Sequence, residues 1–581
     1  MPSSVVAASM PHIAEGGSAR ASTSGVATNS PRNSIQRGQG RRGAAPPVPL
    51  IRVPRPGERR CARHACRMGR FLLPFRASGT QRWAVSAVKC LPVVGLMASM
   101  VLASCGSVPR LPDLSRIYGN AARIQGPERR PLLVMPGTMG SRLVDLASGV
   151  SVWGGPDGLS PDPRVARNLA LLALPLAPEG EEARHLRDSI VPDSVLRAAT
   201  ARVLGVPVEI EVYGGIANML RLGGWVADDD PNPGSEPVNS YPFAYDWRRD
   251  LVDSVSAFDR FVLLHEEENA PPHSLDLMAH SMGTLIARYY LMYGTQDLPE
   301  DGSLPELTWA GAQHFSKVVL IAPPNAGSMA ALDNLVNGKT LGPLQPFYPA
   351  ALVGTHFSTY ALMPRNRHHR VLWSDTHQPV EDLYDPALWE RLGWGLASPD
   401  AEEIIADLLP DEPDPEVRRR RALAFLAEAL GRAKQFQAAL DRPIDALPPG
   451  LDIHMVVGGG YTTPAGARVD RETGELTVDT FEEGDGLVLR ASSLLDERQG
   501  KPYTYGLDTP LKFTSVLFLP EEHVALTQSA VLGDNLLFWL IEGQRTRDSL
   551  RPGPLAPGPR IPLLSAAAPG TAPDGRDDTD R

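Results

Sequence analysis

The chain has 581 residues, of which 43% are hydrophobic and 21% are charged, and these are ordinary proportions for a soluble globular protein. Residues 1–104 carry 15 Lys and Arg against two Glu, so their net charge is +13, and the total of −10 leaves −23 for the remainder. An acidic body without a basic face argues against nucleic-acid binding. The four cysteines lie in the first 105 residues, so the body that follows has neither a disulfide nor a thiolate metal site.

The first 104 residues have the composition of two different segments. Residues 1–67 are rich in Ser, Arg, Gly and Pro without helical or strand periodicity, which predicts disorder or an extension upstream of the true start, with Met68 as the candidate initiator. Residues 68–104 place basic side chains before the apolar stretch "CLPVVGLMASMVLASC". This stretch suits the core of a signal peptide and is short for a membrane-spanning helix, so we predict a signal peptide.

The end of that stretch, "LASC", resembles the lipobox of bacterial lipoproteins. In that family the cysteine is lipidated and becomes the mature N-terminus, which implies a lipid anchor on Cys105. A plain cleaved signal or a single anchor helix is the alternative. Gly106 follows, with no Asp at the second mature position, which favours the outer membrane by analogy. We therefore expect an exported protein, lipid-anchored in a bacterial cell envelope at the outer membrane or the periplasmic side.

After a linker at 105–128, the body alternates apolar strands with helical patterns. Continuous apolar strands of this kind predict a mostly parallel sheet that is covered by helices on both faces, which is an α/β fold. The segments read as strands, some running into loops, are "PLLVMPGTMGSRL", "YPFAYDWRRD", "LDLMAH", "SKVVLIAPPNAGS", "LDIHMVVGGGYTTP" and "FTSVLFLPEEHVAL".

A largely helical insertion divides this fold into two parts. Residues 331–450 contain a clear helical pattern in "DPEVRRRRALAFLAEALGRAKQFQAAL", whereas 129–330 and 451–545 supply the strands. An insertion near the carboxyl ends of sheet strands is typical of a cap over an active site. The last residues, 546–581, are rich in Pro, Gly, Ala and Asp and predict a disordered tail.

Ser281 stands at the corner between a strand and a helix in "LDLMAHSMGTLIARYY". This context is typical of a nucleophile elbow, in which the serine oxygen is exposed and the next N–H points at the developing oxyanion. The usual pattern is G-x-S-x-G, and this chain keeps Gly283 but has Ala279 in the first position. The alternative is a serine that only caps the helix.

The remaining members of a catalytic triad have candidates in the expected order of serine, acid and histidine. Asp485 lies between two glycines in "FEEGDGLV", and His523 is the only histidine after residue 454, in a loop behind an apolar strand. Alternatively, Asp485 forms a turn and His523 starts a helix. In the catalytic interpretation Ser281 attacks, His523 transfers the proton, and Asp485 orients the imidazole.

An acyl-transfer site also needs two N–H donors for the oxyanion. Met282 follows the serine at the helix start, and Thr138 in "MPGTMGS" lies in the loop after an early strand, so these two are the candidates. No metal or cofactor is expected. The glycine triplet 458–460 lacks the spacing of a phosphate loop, and adjacent His368 and His369 have no supporting carboxylates, so none of these receives a function.

Together the segments "PGTMGS", "YDWR", "AHSMGTLIARYYL", "APPNAGS", "GGGYTTP" and "GDG" resemble the lecithin:cholesterol acyltransferase family of α/β-hydrolases, over roughly residues 130–545. The resemblance implies that Ser281, Asp485 and His523 form the triad, with Thr138 and Met282 at the oxyanion hole. The chain departs from the family after the acid, where "GDGLV" lacks the usual Thr-Val-Pro, and in the helical insertion. These departures leave the acyl acceptor open.

The resulting expectation is a serine-dependent lipid acyl hydrolase or O-acyltransferase that acts on a lipid or other acyl ester. It associates with the membrane through its lipidated N-terminus. Two alternatives stay open, namely an esterase for small or polymeric esters on the same fold and a non-catalytic lipid-binding envelope protein.

Overall fold

The computed structural model describes residues 111–124, 129–155, 160–203, 206–234, 237–269, 275–340, 346–365, 370–498 and 505–543. The predicted extension at 1–67, the signal peptide at 68–104, the lipidation site at Cys105 and the tail at 546–581 lie outside these residues.

The described strands are β1 (Leu132–Met135), β2 (Ser141–Asp145), β3 (Ser151–Trp153), β4 (Ile190–Val195), β5 (Ala198–Val203), β6 (Val206–Glu211), β7 (Ser240–Pro242), β8 (Leu275–His280), β9 (Phe315–Ile321), β10 (Lys339–Thr340), β11 (Phe347–Tyr348), β12 (Val371–Trp373), β13 (Asp452–Gly458), β14 (Tyr461–Val469), β15 (Leu476–Gly484) and β16 (Ser515–Leu519).

The described α-helices are α1 (Leu114–Tyr118), α2 (Ala166–Leu172), α3 (Gly214–Leu222), α4 (Leu251–Asn269), α5 (Met282–Tyr293), α6 (Met329–Asn337), α7 (Ala350–Val353), α8 (Phe357–Ala361), α9 (Pro386–Leu392), α10 (Glu402–Leu408), α11 (Pro415–Leu440), α12 (Arg490–Ser493) and α13 (Ala530–Leu537). Short 3₁₀ helices lie at Ala121–Arg123, Ala183–His185, Ala310–His314, Gly395–Ala397, Pro399–Ala401 and Ala525–Gln528, and a π-helical turn lies at Phe538–Glu542.

The central sheet has six strands in the order β16–β13–β9–β8–β1–β7, and every neighbouring pair is parallel. This arrangement confirms the predicted α/β-hydrolase class with a mostly parallel sheet. Because all six strands point the same way, their carboxyl ends share one edge, where the loops after β1, β8, β9 and β16 come together.

Helices cover the sheet on both faces, and this explains why its strands read as continuous apolar runs. Along β8, Leu277 and Ala279 belong to a large hydrophobic cluster with side chains of α4 and α5, whereas Met278 belongs to a smaller cluster with α1, α3 and α13. Successive side chains of a strand point to opposite faces, so each face of β8 packs against its own helical layer.

The chain between β9 and β13 contains helices α6 to α11, of which α11 is the longest. This helix packs against α5, since the Tyr293 hydroxyl donates to the Ala439 carbonyl at 2.8 Å and the rings of Tyr289 and Phe436 stack with centroids 5.5 Å apart. Leu430 of α11 is fully buried in the larger cluster. These contacts make α11 part of the body of the fold, while the cap function of residues 331–450 stays a prediction.

One strand differs from its prediction. The sequence places residues 451–464 in a single strand, but β13 ends at Gly458 and a new strand, β14, begins at Tyr461. Gly460 has a φ of 83°, which glycine adopts without strain and which turns the chain out of the central sheet. Strand β14 pairs instead with β12 and β15 in a separate three-stranded sheet, so the loop that carries Asp485 follows a strand outside the central sheet.

Candidate active site

Ser281 lies between β8 and α5 in a conformation that few residues other than glycine adopt. Its φ is 52° and its ψ is −126°, which is a sterically costly region for a residue with a Cβ. The backbone is held by the Ser281 N–H, which donates to the Ile321 carbonyl at 2.8 Å, and by the Thr284 N–H, which donates to the Ser281 carbonyl at 2.9 Å. The Ser281 side chain makes no capping hydrogen bond to α5, so the helix-cap interpretation does not describe this serine.

Small residues make the sharp turn at Ser281 possible. A Cβ added at Gly283 would lie 2.4 Å from the Pro136 carbonyl oxygen, and one added at Gly137 would lie 2.7 Å from the Ser281 Cβ. Neither distance is sterically allowed, so both glycines are needed for the loop after β1 to approach the elbow. Ala279, the departure from the usual pattern, is fully buried within the sheet, where the fold accommodates its methyl group.

His523 lies in the loop after β16 and contacts both other triad candidates. Its Nε2 is 2.8 Å from the Ser281 Oγ, and its Nδ1 is 2.7 Å from an Asp485 carboxylate oxygen. Since an ionised carboxylate only accepts hydrogen bonds, Nδ1 carries the proton and Nε2 is free to accept from the serine hydroxyl. The structure therefore brings Ser281, His523 and Asp485 into one hydrogen-bonded chain.

Asp485 is almost completely buried, and its second carboxylate oxygen accepts hydrogen bonds from the N–H groups of Leu487 (3.0 Å) and Val488 (2.7 Å). Burial alone would raise the pKa of Asp485, but the interaction with His523 and the two backbone donors together hold it below its usual value. Gly458 matters here, because a Cβ at that position would lie 2.5 Å from the Asp485 Cβ. Gly458, the first residue of the glycine triplet to which the sequence analysis assigned no function, thus leaves the space for the acid.

The two predicted oxyanion donors lie on either side of the elbow. Met282 is the first residue of α5, and the Thr138 hydroxyl donates to the Met282 sulfur at 3.2 Å, so the loop after β1 contacts the start of the helix. The first N–H groups of a helix have no partner within it. The N–H of Gly137 points elsewhere, since it donates to the Tyr213 hydroxyl at 2.7 Å.

Aromatic side chains fix the loop after β1 from several directions. The Tyr245 hydroxyl donates to the Pro136 carbonyl at 2.9 Å, and the Trp153 indole N–H donates to the Met139 carbonyl at 2.8 Å. Met139 has a φ of 62°, an uncommon value for a non-glycine residue. The loop is thus held in its strained shape before any substrate is bound.

Sequence reasoning missed three residues of this site, namely Tyr213, His280 and Lys339. The Tyr213 hydroxyl is 2.8 Å from His280 Nδ1, and His280 Nε2 is 3.1 Å from the His523 carbonyl oxygen. Burial, together with the neighbouring His523, lowers the pKa of His280 to about 3, so its ring is neutral. His280 directly precedes the serine, and this position in the sequence could have identified it as a site residue. Tyr213 is 67 residues away from His280 along the chain, and nothing in the sequence around it points to the site.

Lys339 approaches the same loop from strand β10. Its Nζ lies 3.4 Å from the Met139 sulfur, and no carboxylate of the described residues pairs with it. Burial lowers the pKa of Lys339 to about 8. Lys339 therefore places an unpaired cation beside the predicted oxyanion loop.

The model of the family described as "Lecithin:cholesterol acyltransferase" matches residues 233–388. Over this region the chain is similar to the lecithin:cholesterol acyltransferase family. The matched region includes Ser281 and ends before Asp485 and His523, so the roles of these two residues are inferred from their geometry and their order in the chain. A search among curated proteins finds no match.

The chain is similar to three solved structures over part of its length. The chain is similar to one in the Tle4–Tli4 complex, with 15% identity over 71% of this chain and 98% of that one, at a TM-score of 0.42. The chain is also similar to phospholipase PlaB from Legionella pneumophila, with 14% identity over 58% of this chain and 57% of that one, at a TM-score of 0.27. A third similar structure is that of DBJA, with 13% identity over 59% of this chain and 88% of that one, at a TM-score of 0.21. At these identities and TM-scores the likenesses carry no information about substrate or reaction.

Two other features bear on cofactors and membranes. Within the described ranges, no group of three His, Cys, Asp or Glu side chains lies close enough together to hold a metal ion. Among the helices of the part of the chain that the structure describes, none is long and apolar enough to cross a membrane.

Proposed function

We propose that the protein is a serine-dependent lipid acyl hydrolase or O-acyltransferase that works through an acyl-enzyme at Ser281. The observation that carries this proposal is the hydrogen-bonded chain from the Ser281 Oγ through His523 to Asp485, with distances of 2.8 and 2.7 Å. Similarity to the acyltransferase family over the region that contains Ser281 supports acyl-ester chemistry at this site.

In the acylation step the Ser281 oxygen attacks the ester carbonyl carbon while its proton moves to His523 Nε2. The carbonyl electron pair moves onto the oxygen, which receives hydrogen bonds from the N–H groups of Thr138 and Met282. Each such donor contributes about 3–4 kcal/mol to the transition state. Asp485 stays ionised and stabilises the imidazolium of His523. When the intermediate collapses, the leaving alkoxide takes the proton from Nε2.

In the second step an acceptor oxygen attacks the acyl carbon and transfers its proton to His523, and the Ser281 oxygen leaves and recovers that proton. Water as the acceptor gives a free fatty acid, so the protein is a hydrolase, whereas an alcohol gives a new ester. The same residues serve both outcomes. The acceptor is tested by incubating the purified protein with phospholipid vesicles, with and without a long-chain alcohol, and by measuring the free acid and the new ester separately.

A preference for lipid esters distinguishes this proposal from the esterase alternative. We expect the rate to rise when the substrate forms micelles or vesicles, because the predicted cap at 331–450 then opens toward an apolar surface. The measurement is the rate on a series of p-nitrophenyl esters with short to long acyl chains, taken below and above their aggregation thresholds. A rate that is highest on the shortest chain and passes smoothly through the threshold favours the esterase.

A non-catalytic lipid-binding protein has no use for the strained backbone of Ser281 or for the buried partner of His523. Such a protein would bind vesicles without releasing acid. Release of fatty acid by the parent protein and its loss in Ser281→Ala therefore separates the enzyme from the binding protein.

Export and lipid anchoring are proposed for the N-terminal region, which places the enzyme in a bacterial cell envelope at the outer membrane or the periplasmic side. Cys105→Ser should release the protein from membranes into the soluble fraction, because each buried CH₂ of a lipid chain contributes about 0.8 kcal/mol to membrane affinity. Cys90→Ser, within the predicted signal peptide, is the matched control and should leave the protein bound. A Cys105→Ser protein that resists a carbonate wash favours a membrane-spanning segment instead.

A further inference from the structure

Tyr213 and His280 form a second hydrogen-bonded chain beside the triad, and the direction of each of its bonds follows from the chemistry of the groups. The Gly137 N–H only donates, so the Tyr213 oxygen accepts there. The His523 carbonyl only accepts, so the proton of the neutral His280 ring is on Nε2. The His280 Nδ1 is then an acceptor, and the Tyr213 hydroxyl donates its proton to it. In this arrangement every donor of the three hydrogen bonds faces an acceptor.

The hydrogen bonds of Tyr213 and His280 connect the two loops that flank Ser281. At one end, Tyr213 holds the Gly137 N–H away from the reacting carbonyl, which leaves the next N–H of the loop, that of Thr138, for the oxyanion. At the other end, His280 holds the backbone carbonyl of His523, while the N–H of His523 donates to the Asp485 carbonyl at 2.9 Å. The backbone of His523 is therefore held through both its carbonyl and its N–H.

Tyr213 and His280 are buried, so they can hold the two loops in position without touching the substrate. His280 is 5% exposed and Tyr213 is 6% exposed. The rings of His280 and His523 lie with centroids 5.0 Å apart. A charged ring at His280 would repel the imidazolium that forms on His523 during the reaction, and Tyr213 supplies the hydrogen bond that stabilises the neutral tautomer.

We propose that Tyr213 and His280 are positioning residues for the acyl-transfer reaction, coupling the oxyanion loop to the loop of the base across Ser281. This inference rests on the proposed function of Ser281. Because the two residues act on the transition state and not on the resting substrate complex, their loss should lower kcat and leave KM nearly unchanged.

The first test is Tyr213→Phe, which removes one hydroxyl and keeps the ring. It leaves the Gly137 N–H and His280 Nδ1 without partners, and we expect kcat on a soluble ester to fall about tenfold, with KM within about twofold. The affinity for a trifluoromethyl ketone, whose adduct resembles the oxyanion, should weaken by the same factor as kcat/KM. Tyr360→Phe is the matched control, because Tyr360 is fully buried and its hydroxyl donates to the Gly354 carbonyl at 2.9 Å.

The second test compares His280→Leu with His280→Gln. Leucine removes both ring nitrogens and should lower kcat about 10- to 100-fold, whereas glutamine keeps a donor and an acceptor in the side chain and should recover part of that loss. His356→Gln is the matched control, since His356 is also buried, its Nε2 lies 3.0 Å from the Leu172 carbonyl, and burial lowers its pKa to about 4. Combining Tyr213→Phe with His280→Leu should cost little more than His280→Leu alone.

Ser281→Ala separates failure of this inference from failure of the proposed function. If Ser281→Ala keeps the parent activity, the proposed function itself is wrong. If Ser281→Ala is inactive while Tyr213→Phe keeps kcat within twofold, or raises KM with unchanged kcat, the positioning role is overturned. Thermal unfolding of each variant identifies any that does not fold, and where His280→Leu does not, the folded Tyr213→Phe and His280→Gln proteins decide.

Discussion

The two sides of Ser281 are built in different ways. On the side of the acid, His523 meets a buried carboxylate whose pKa is held below its usual value, so a full negative charge faces the ring. On the other side, His280 meets a tyrosine hydroxyl and a carbonyl, and its own pKa is lowered to about 3. In the proposed mechanism His523 takes the proton of Ser281, whereas His280 stays neutral, so two neighbouring buried histidines differ because their hydrogen-bond partners differ.

The largest expected effect comes from the ring that gains the proton. His523→Ala removes the base, and an unassisted serine hydroxyl is a poor nucleophile at neutral pH, so kcat should fall by about 10⁴–10⁶. The measurement is kcat on a soluble ester, with the near-ultraviolet circular dichroism spectrum as the control for folding. If His523→Ala costs no more than His280→Leu, the distinction between the two histidines is lost.

The second largest loss of activity is expected at Asp485, the hydrogen-bond partner of the His523 ring. Asp485→Asn keeps the size of the side chain but offers an amide in place of the carboxylate, so the wrong tautomer of His523 is favoured and kcat should fall by about 10³–10⁴. Combining it with His523→Ala should add little to the loss, because residues that act as one unit are not additive. Additive losses in the double variant would show that Asp485 and His523 work independently.

Asp485 should also affect the acid stability of the protein. Its folded-state pKa is lowered, so its charge contributes stability above the unfolded pKa, near 3.8, and this contribution is lost as the pH falls through the folded value. Urea unfolding between pH 2 and pH 6 measures this contribution. We expect Asp485→Asn to have a flatter stability curve below about pH 4 than the parent, and a curve parallel to that of the parent would contradict the assignment.

A smaller effect is expected at Lys339, the cation beside Met139 in the loop after β1. Burial lowers its pKa from 10.5 in the unfolded chain to about 8. The folded protein therefore loses this proton first, and the free energy of unfolding should rise between about pH 8 and pH 10.5. At pH 7 Lys339 carries its charge in both states, so the full free-energy cost of burying that charge is present. Lys339→Met should therefore be more stable than the parent by on the order of 1 kcal/mol, after allowing for the partial exposure of the lysine.

Urea unfolding at pH 7 and at pH 10.5 checks this prediction, and the difference between Lys339→Met and the parent should disappear at the higher pH. Lys434→Met is the control, because Lys434 is exposed and pairs with Asp382, and exposed pairs contribute little. A Lys339→Met protein that is less stable than the parent at pH 7 would show that the cation has a partner.

The same two sides differ in how well the sequence predicts them. The elbow is readable because a six-residue apolar strand, a serine and a glycine two positions later stand together along the chain. His523 is readable because a single histidine follows the last strand. Tyr213 carried no local signal, since its partners are Gly137 and His280, which are distant in the sequence. Gly458 was misjudged for a related reason, because its close neighbour Asp485 lies beyond an entire hairpin.

Covalent trapping at Ser281 tests the account most directly. A fluorophosphonate should add one phosphonyl group to the parent protein, and mass spectrometry of its peptides should locate that group on Ser281. The Ser281→Ala protein should take up no label and release no fatty acid while unfolding at the same urea concentration as the parent. Label on another residue, or turnover of ester by Ser281→Ala at the parent rate, would contradict the account.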